Sequence, residues 1–147
     1  MSIGIIRGGE IGSAFARALA RNGISATISN SRSPDTLQDF ARELTPYITA
    51  GTVREAARAD LVLVAVPWSK LAQALAMLPD WAGRIVIDAN NPIERPLFKP
   101  VELHGRLSTE IFAGMVRGAR VVKAFNHLPP HLISGDPRAE GGSRVLF

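Results

Sequence analysis

The sequence predicts a doubly wound α/β fold, a mainly parallel sheet with helices on both faces. Three observations carry that prediction: β-branched runs alternate with amphipathic stretches throughout, the run Leu61 to Val66 is apolar at every position, and the first run leads into a glycine-rich turn that opens a helix. An uninterrupted apolar strand buries both faces, as happens where helices cover a parallel sheet on each side. In such sheets right-handed crossovers leave a crevice at the carboxyl ends of the strands, so the functional residues are expected in the βα loops.

Taken in order, strands are predicted at Ile3 to Ile6, Ala26 to Ser29, Tyr47 to Thr49, Leu61 to Val66, Ile85 to Asp88 and Arg120 to Ala124. The first helix, about Ile11 to Asn22, sets Ile11, Phe15, Ala18 and Leu19 on one face and Arg17 and Arg21 on the other, with Gly23 as its stop. Further helices are predicted from Pro34 to Leu44, Thr52 to Ala59, Lys70 to Met77 and Thr109 to Val116, the last between Ser108 as N-cap and Gly118 as stop. Asn90 to Pro100 reads as a long loop with prolines at 92, 96 and 100.

The 147 residues fit a single domain, 1–147. With 46% hydrophobic and 20% charged residues the composition is that of an ordinary globular protein, and no apolar run is long enough to span a membrane. The first residues carry no signal-peptide pattern, and the absence of cysteine excludes disulfides and thiolate chemistry; a cytoplasmic protein is expected. The net charge of +4 comes from arginines dispersed along the chain, which suits attraction of an anionic small molecule rather than nucleic acid. Neither a nucleic-acid nor a membrane partner is expected. A homodimer is expected if the final strand leaves an open edge.

The turn Arg7-Gly8-Gly9-Glu10-Ile11-Gly12 follows a strand and opens a helix, the context a dinucleotide-binding fingerprint requires. In this register glycine is wanted at 7, 9 and 12, and two of the three are present. Gly9 would let the backbone approach a pyrophosphate, Gly12 would let helix and strand pack closely, and the helix start offers free N–H groups. Arg7 occupies the tight-turn position. Either it distorts the cradle, with Gly8 absorbing the strain, or its guanidinium reaches the pyrophosphate and compensates by charge.

NAD-specific domains carry Asp or Glu at the end of the second strand, about 20 residues beyond the glycines, to hold the ribose 2′-hydroxyl. Here that place reads Ser29-Asn30-Ser31-Arg32, with no carboxylate and an arginine suited to a 2′-phosphate. The expected cofactor is therefore NADP(H), with Arg32 on the extra phosphate.

Together the cradle, Ser29-Asn30-Ser31-Arg32, Val64-Ala65-Val66-Pro67-Trp68, Asp88-Ala89-Asn90-Asn91-Pro92, Val122-Lys123-Ala124-Phe125-Asn126 and Asp136-Pro137-Arg138 resemble the coenzyme F420-dependent family of NADP oxidoreductases. The resemblance covers nearly the whole chain. It implies that Ala65, Val66 and Pro67 line the dinucleotide, that Asn90 and Asn91 lie by the nicotinamide, and that Asn126 lies near the hydride-transfer face, with F420 as a co-substrate. Two departures are Arg7 in the family's first glycine slot and an end at Arg144 to Phe147, where the family continues through this strand into more of its substrate site.

Hydride transfer between a nicotinamide and a flavin-like ring demands positioning and dryness more than an acid or base. Asn126 and His127 are the catalytic candidates, His127 as a proton donor should the acceptor be a carbonyl or imine. His127 and His131 have a helical metal-ligand spacing, but Pro129 and Pro130 stand between them, so no metal site is expected. The sequence thus points to an NADP(H)-dependent oxidoreductase acting on an F420-like, flavin-like or small carbonyl acceptor. The alternative is a non-catalytic NADP(H)-binding module or sensor subunit.

Overall fold

The computed structural model describes residues 1–147 apart from Met77, Pro79, Arg95, Glu140, Leu146 and Phe147. Six strands form one sheet: β1 (Ile3–Ile6), β2 (Ala26–Ser29), β3 (Ile48–Ala50), β4 (Leu61–Val64), β5 (Ile85–Asp88) and β8 (Arg120–Lys123). Every pairing is parallel and the spatial order is β3-β2-β1-β4-β5-β8. The order reverses between β1 and β4, where a Rossmann-type sheet opens its ligand crevice.

Strand residues alternate between two cores, because successive side chains of a strand point to opposite faces. Ile6, Val62, Val64 and Val86 join Ala56, Leu71, Phe112 and Val116 on one face. Ile5, Ile28, Leu63 and Ile87 join Ala16, Leu19 and Leu37 on the other. The helices are α1 (Glu10–Arg21), α2 (Gln38–Glu43), α3 (Val53–Ala57), α4 (Leu71–Leu75), α5 (Ser108–Met115) and α6 (Pro130–Ser134). Gly23 stops α1 as predicted, at φ 70°: its amide bonds the Ala20 carbonyl and the Ile24 amide bonds that of Leu19, the paired closure in which glycine avoids the left-handed penalty. Among the described residues no helix is long and apolar enough to cross a membrane.

Several boundaries differ from expectation for local reasons. The fourth strand ends at Val64 rather than Val66, because the Val66 amide bonds the Asn90 side chain instead of a neighbouring strand. The third runs Ile48–Ala50, one residue later than predicted, and the last leaves the sheet after Lys123, where Phe125 turns at φ 64°. The helix expected from Pro34 to Leu44 begins as a 3-10 turn, Pro34–Leu37, and Trp68–Lys70 is a 3-10 turn ahead of α4. Met77, the predicted end of that helix, lies outside the described residues, as do Leu146 and Phe147 of the expected terminal strand; Arg144 and Val145 are not in strand conformation.

Ser108 is the first residue of α5 rather than its cap; Leu107 precedes it, and the Leu107 amide donates to the Glu110 carboxylate at 3.1 Å. The Asn90–Pro100 loop contains a small antiparallel hairpin, β6 (Ile93–Glu94) and β7 (Lys99–Pro100), and another, β9 (Arg138–Ala139) with β10 (Gly142–Ser143), follows α6. Pro130 starts α6 rather than preventing a helix, since proline suits the first helical position. His127 lies before that helix and His131 within it.

Candidate functional site

A cleft of about 660 Å³ opens at the carboxyl ends of β1, β4 and β5. From β1 it is lined by Arg7, Gly9, Glu10 and Ile11; from the β4 end by Ala65, Val66, Pro67, Trp68, Ser69 and Lys70; and from the β5 end by Ala89, Asn90 and Asn91. Ile93, Glu94 and Phe98 of the β6–β7 hairpin close its rim. Its walls present two cations, Arg7 and Lys70, and two carboxylates, Glu10 and Glu94. Ser69, Lys70, Ile93, Glu94 and Phe98 were not expected at the site, and Trp68 was quoted within the stretch Val64 to Trp68 without being assigned to it. The stretch from Trp68 to Lys70 follows the same strand as Pro67, and that position was the available signal.

In the glycine turn the strain falls on Arg7 itself, at φ 82°. The expectation that Gly8 absorbs it is corrected: Gly8 is not left-handed, and its amide is fixed to the Ser29 carbonyl at 2.7 Å. A left-handed non-glycine residue costs about 1–2 kcal/mol. The Arg7 side chain lies across Gly9, its Nε 3.8 Å from where a β-carbon on that glycine would stand. The three glycines of the turn then differ in kind. A β-carbon on Gly12 would collide with the Arg7 carbonyl, so that glycine is demanded by packing, whereas one on Gly8 would meet only a methyl of the Leu37 side chain, which must shift. At Gly9 nothing in the protein comes closer than that Nε, so its bare face opens on the cleft. Gly9 is also the N-cap of α1 and makes no side-chain capping bond, and the first residues of that helix, Glu10 and Ile11, line the cleft.

At the end of β2, Ser29 is fully buried and its hydroxyl donates to the Ile5 carbonyl at 3.0 Å, so that side chain is engaged inside the sheet. Asn30 shapes the following loop: its Oδ1 accepts from the Arg32 amide at 2.9 Å and its Nδ2 donates to Thr36 Oγ1 at 2.6 Å. Ser31 and Arg32 are exposed, outside the cleft wall, and the Arg32 side chain makes no ion pair among the described residues. Asp35, the carboxylate closest in sequence, is held by Ser33 at 2.7 Å.

The far wall is tied together by amides. Asn90 is buried; its Oδ1 accepts from the Val66 amide and its Nδ2 donates to Asp88 Oδ1, each at 2.7 Å. Asn91 and Asn126 bond reciprocally: Asn91 Nδ2 donates to the Asn126 carbonyl at 2.7 Å and Asn126 Nδ2 to Asn91 Oδ1 at 3.0 Å. Asn126 thus joins the site through Asn91. His127 is exposed and does not line the cleft. Among the described residues no three His, Cys, Asp or Glu side chains are grouped as a metal ion would need.

A family model described as NADP oxidoreductase coenzyme F420-dependent matches residues 2–92. A hypothetical protein of Sinorhizobium meliloti has the same fold at a TM-score of 0.92 and 44% identity, over 99% of this chain and 72% of that one. A candidate F420-dependent NADP-reductase from Arthrobacter sp. FB24 is similar at a TM-score of 0.73 and 26% identity, over 97% of this chain and 70% of that one. The metalloreductase STEAP3 of Rattus norvegicus is 27% identical over 147 residues, or 99% of this chain, which spans 28% of that protein's length.

Proposed function

The chain belongs to the NADP oxidoreductase coenzyme F420-dependent family, and from that premise we propose that it binds NADP(H) across the cleft and exchanges a hydride with a ring or carbonyl acceptor. The observation that carries this reading is the bare face of Gly9. No protein atom requires a glycine there, whereas a pyrophosphate seated on the uncapped start of α1 does.

In this reading the amides of Gly9, Glu10 and Ile11 hold the pyrophosphate, Arg7 adds charge-assisted hydrogen bonds from above, and Gly8 and Gly12 keep the turn in shape. Ser31 and Arg32 meet the 2′-phosphate on a loop built by Asn30 and anchored at Ser29. Ala65, Val66 and Pro67 line the dinucleotide, and Asn90, Asn91 and Asn126 border its nicotinamide end. The cofactor supplies the hydride; these residues orient it and keep water from it. The family match ranks a deazaflavin of the F420 type or a flavin-like ring ahead of a carbonyl compound, and His127, the proton donor expected for a carbonyl, lies outside the wall.

Oxidation of NADPH, followed by absorbance against deazaflavin, flavin and carbonyl acceptors, tests the proposal. Turnover with a ring acceptor supports it. Binding without turnover on any acceptor contradicts the catalytic reading and marks an NADP(H)-binding module.

A further inference from the structure

Asp88 and Lys123 are two charged groups that the reaction itself does not use. They stand opposite each other in the register of β5 and β8, at the end of the sheet where the cleft opens. Asp88 is completely buried, a costly position for a carboxylate unless it is paired and hydrogen-bonded. Its Oδ2 accepts from Lys123 Nζ at 3.0 Å, and its Oδ1 accepts from the Asn90 amide at 3.0 Å and from Asn90 Nδ2 at 2.7 Å. Lys123 Nζ also donates to the Asn90 carbonyl. Among the described residues, every side-chain hydrogen bond of the pair outside itself therefore ends on Asn90. The one acceptor left on Asn90, Oδ1, takes the Val66 amide.

Asn90 and Val66 both line the cleft, while Asp88 and Lys123 do not. We infer that Lys123 and Asp88 are positioning residues that act through Asn90 to fix the wall between β4 and β5 against the nicotinamide half of the bound cofactor. This inference rests on the proposed NADP(H) site. A charge pair of this kind transmits geometry because Asp88 and Lys123 each lose hydrogen bonds if Asn90 moves, which favours one arrangement of the wall. The adenosine half, held at α1 and Arg32, shares none of these bonds.

The experiment compares two ligands by calorimetry: NADPH, and adenosine 2′,5′-bisphosphate, which keeps the 2′-phosphate and lacks the nicotinamide. For Lys123→Met the dissociation constant of NADPH is expected to rise about tenfold, the scale of one lost charge-assisted hydrogen bond, while that of the bisphosphate stays within about twofold. Lys123→Arg should restore most of the loss. The double variant Asp88→Asn with Lys123→Met leaves no buried charge unpaired, so it serves where the single variant fails to fold, and the same selective loss is expected of it. Equal weakening of both ligands, or no change in either, overturns the inference while leaving the cofactor site standing. Binding of neither ligand by the unaltered protein overturns the cofactor site and this inference together.

Discussion

The side chain of Arg7 lies across Gly9, so that the left-handed residue and the bare glycine beside it form one surface on the cleft. The backbone pays for this placement: an arginine at φ 82° is disfavoured where glycine would rest without strain. Arg7→Gly should therefore raise stability by about 1 kcal/mol, or roughly 2–4 °C in Tm, and at the same time weaken NADPH. Thermal melts beside calorimetry check both signs. Tighter NADPH binding in the variant would mean that Arg7 distorts the cradle instead of completing it.

Gly9 and Gly12 separate ligand space from packing space. Gly12→Ala forces its new methyl group into the Arg7 carbonyl, and a loss of about 1–3 kcal/mol in denaturant unfolding is expected. The new methyl group of Gly9→Ala meets Arg7 Nε at 3.8 Å, an ordinary contact, so among the described residues nothing opposes it and the variant should melt close to the unaltered protein while losing NADPH affinity. Normal NADPH binding by Gly9→Ala would remove the reason for assigning the pyrophosphate there.

Arg32 is exposed on a loop that Asn30 shapes, with its side chain free of ion pairs among the described residues. Arg32→Ala should raise the dissociation constant for NADPH about tenfold and leave NADH nearly unchanged, since one charge-assisted contact to the 2′-phosphate contributes ~1.5–3 kcal/mol. Equal losses for both nucleotides would place the arginine elsewhere in the binding mode.

Two carboxyls bear on how stability should respond to acid. The Thr52 amide and hydroxyl hold Glu55 below the usual carboxylate range, and the Ser2 amide and hydroxyl do the same for Asp60. A carboxyl whose folded pKa is depressed contributes stability that is present above its unfolded pKa, near pH 4, and is lost as the pH falls through the folded value. Melting temperatures should fall as the pH drops below about 4, and Glu55→Gln with Asp60→Asn should flatten that slope. An unchanged slope in the double variant would show that other groups govern acid unfolding.

The six strands of the sheet were legible because each is a short run carrying β-branched residues between amphipathic stretches. Hairpin β6–β7 was not, because two-residue strands carry no period and the prolines around them read as plain loop. Helix α6 was missed for a related reason: Pro130 was read as a breaker, although at the first helical position it begins a helix. At the site, the turn from Arg7 to Ile11 was read from its glycine motif and Ala65 to Pro67 from the family resemblance, and residues of both stretches line the cleft. The tie between Asp88 and Lys123 was not, since each looks like an ordinary strand residue until β8 lies beside β5 and sets the two opposite each other, 35 positions apart in sequence. Ser29 shows the converse: a hydroxyl that suits a phosphate in sequence is already bonded to Ile5 inside the sheet.

In the proposed binding mode a phosphorylated dinucleotide runs from the cleft at the start of α1 out to Arg32. Titration of the purified protein with NADP⁺ and NADPH, read by heat and by nicotinamide fluorescence, measures it directly. Saturable binding of both, tighter than that of NADH by about tenfold or more, is the predicted result. No heat and no fluorescence change at millimolar nucleotide would contradict it.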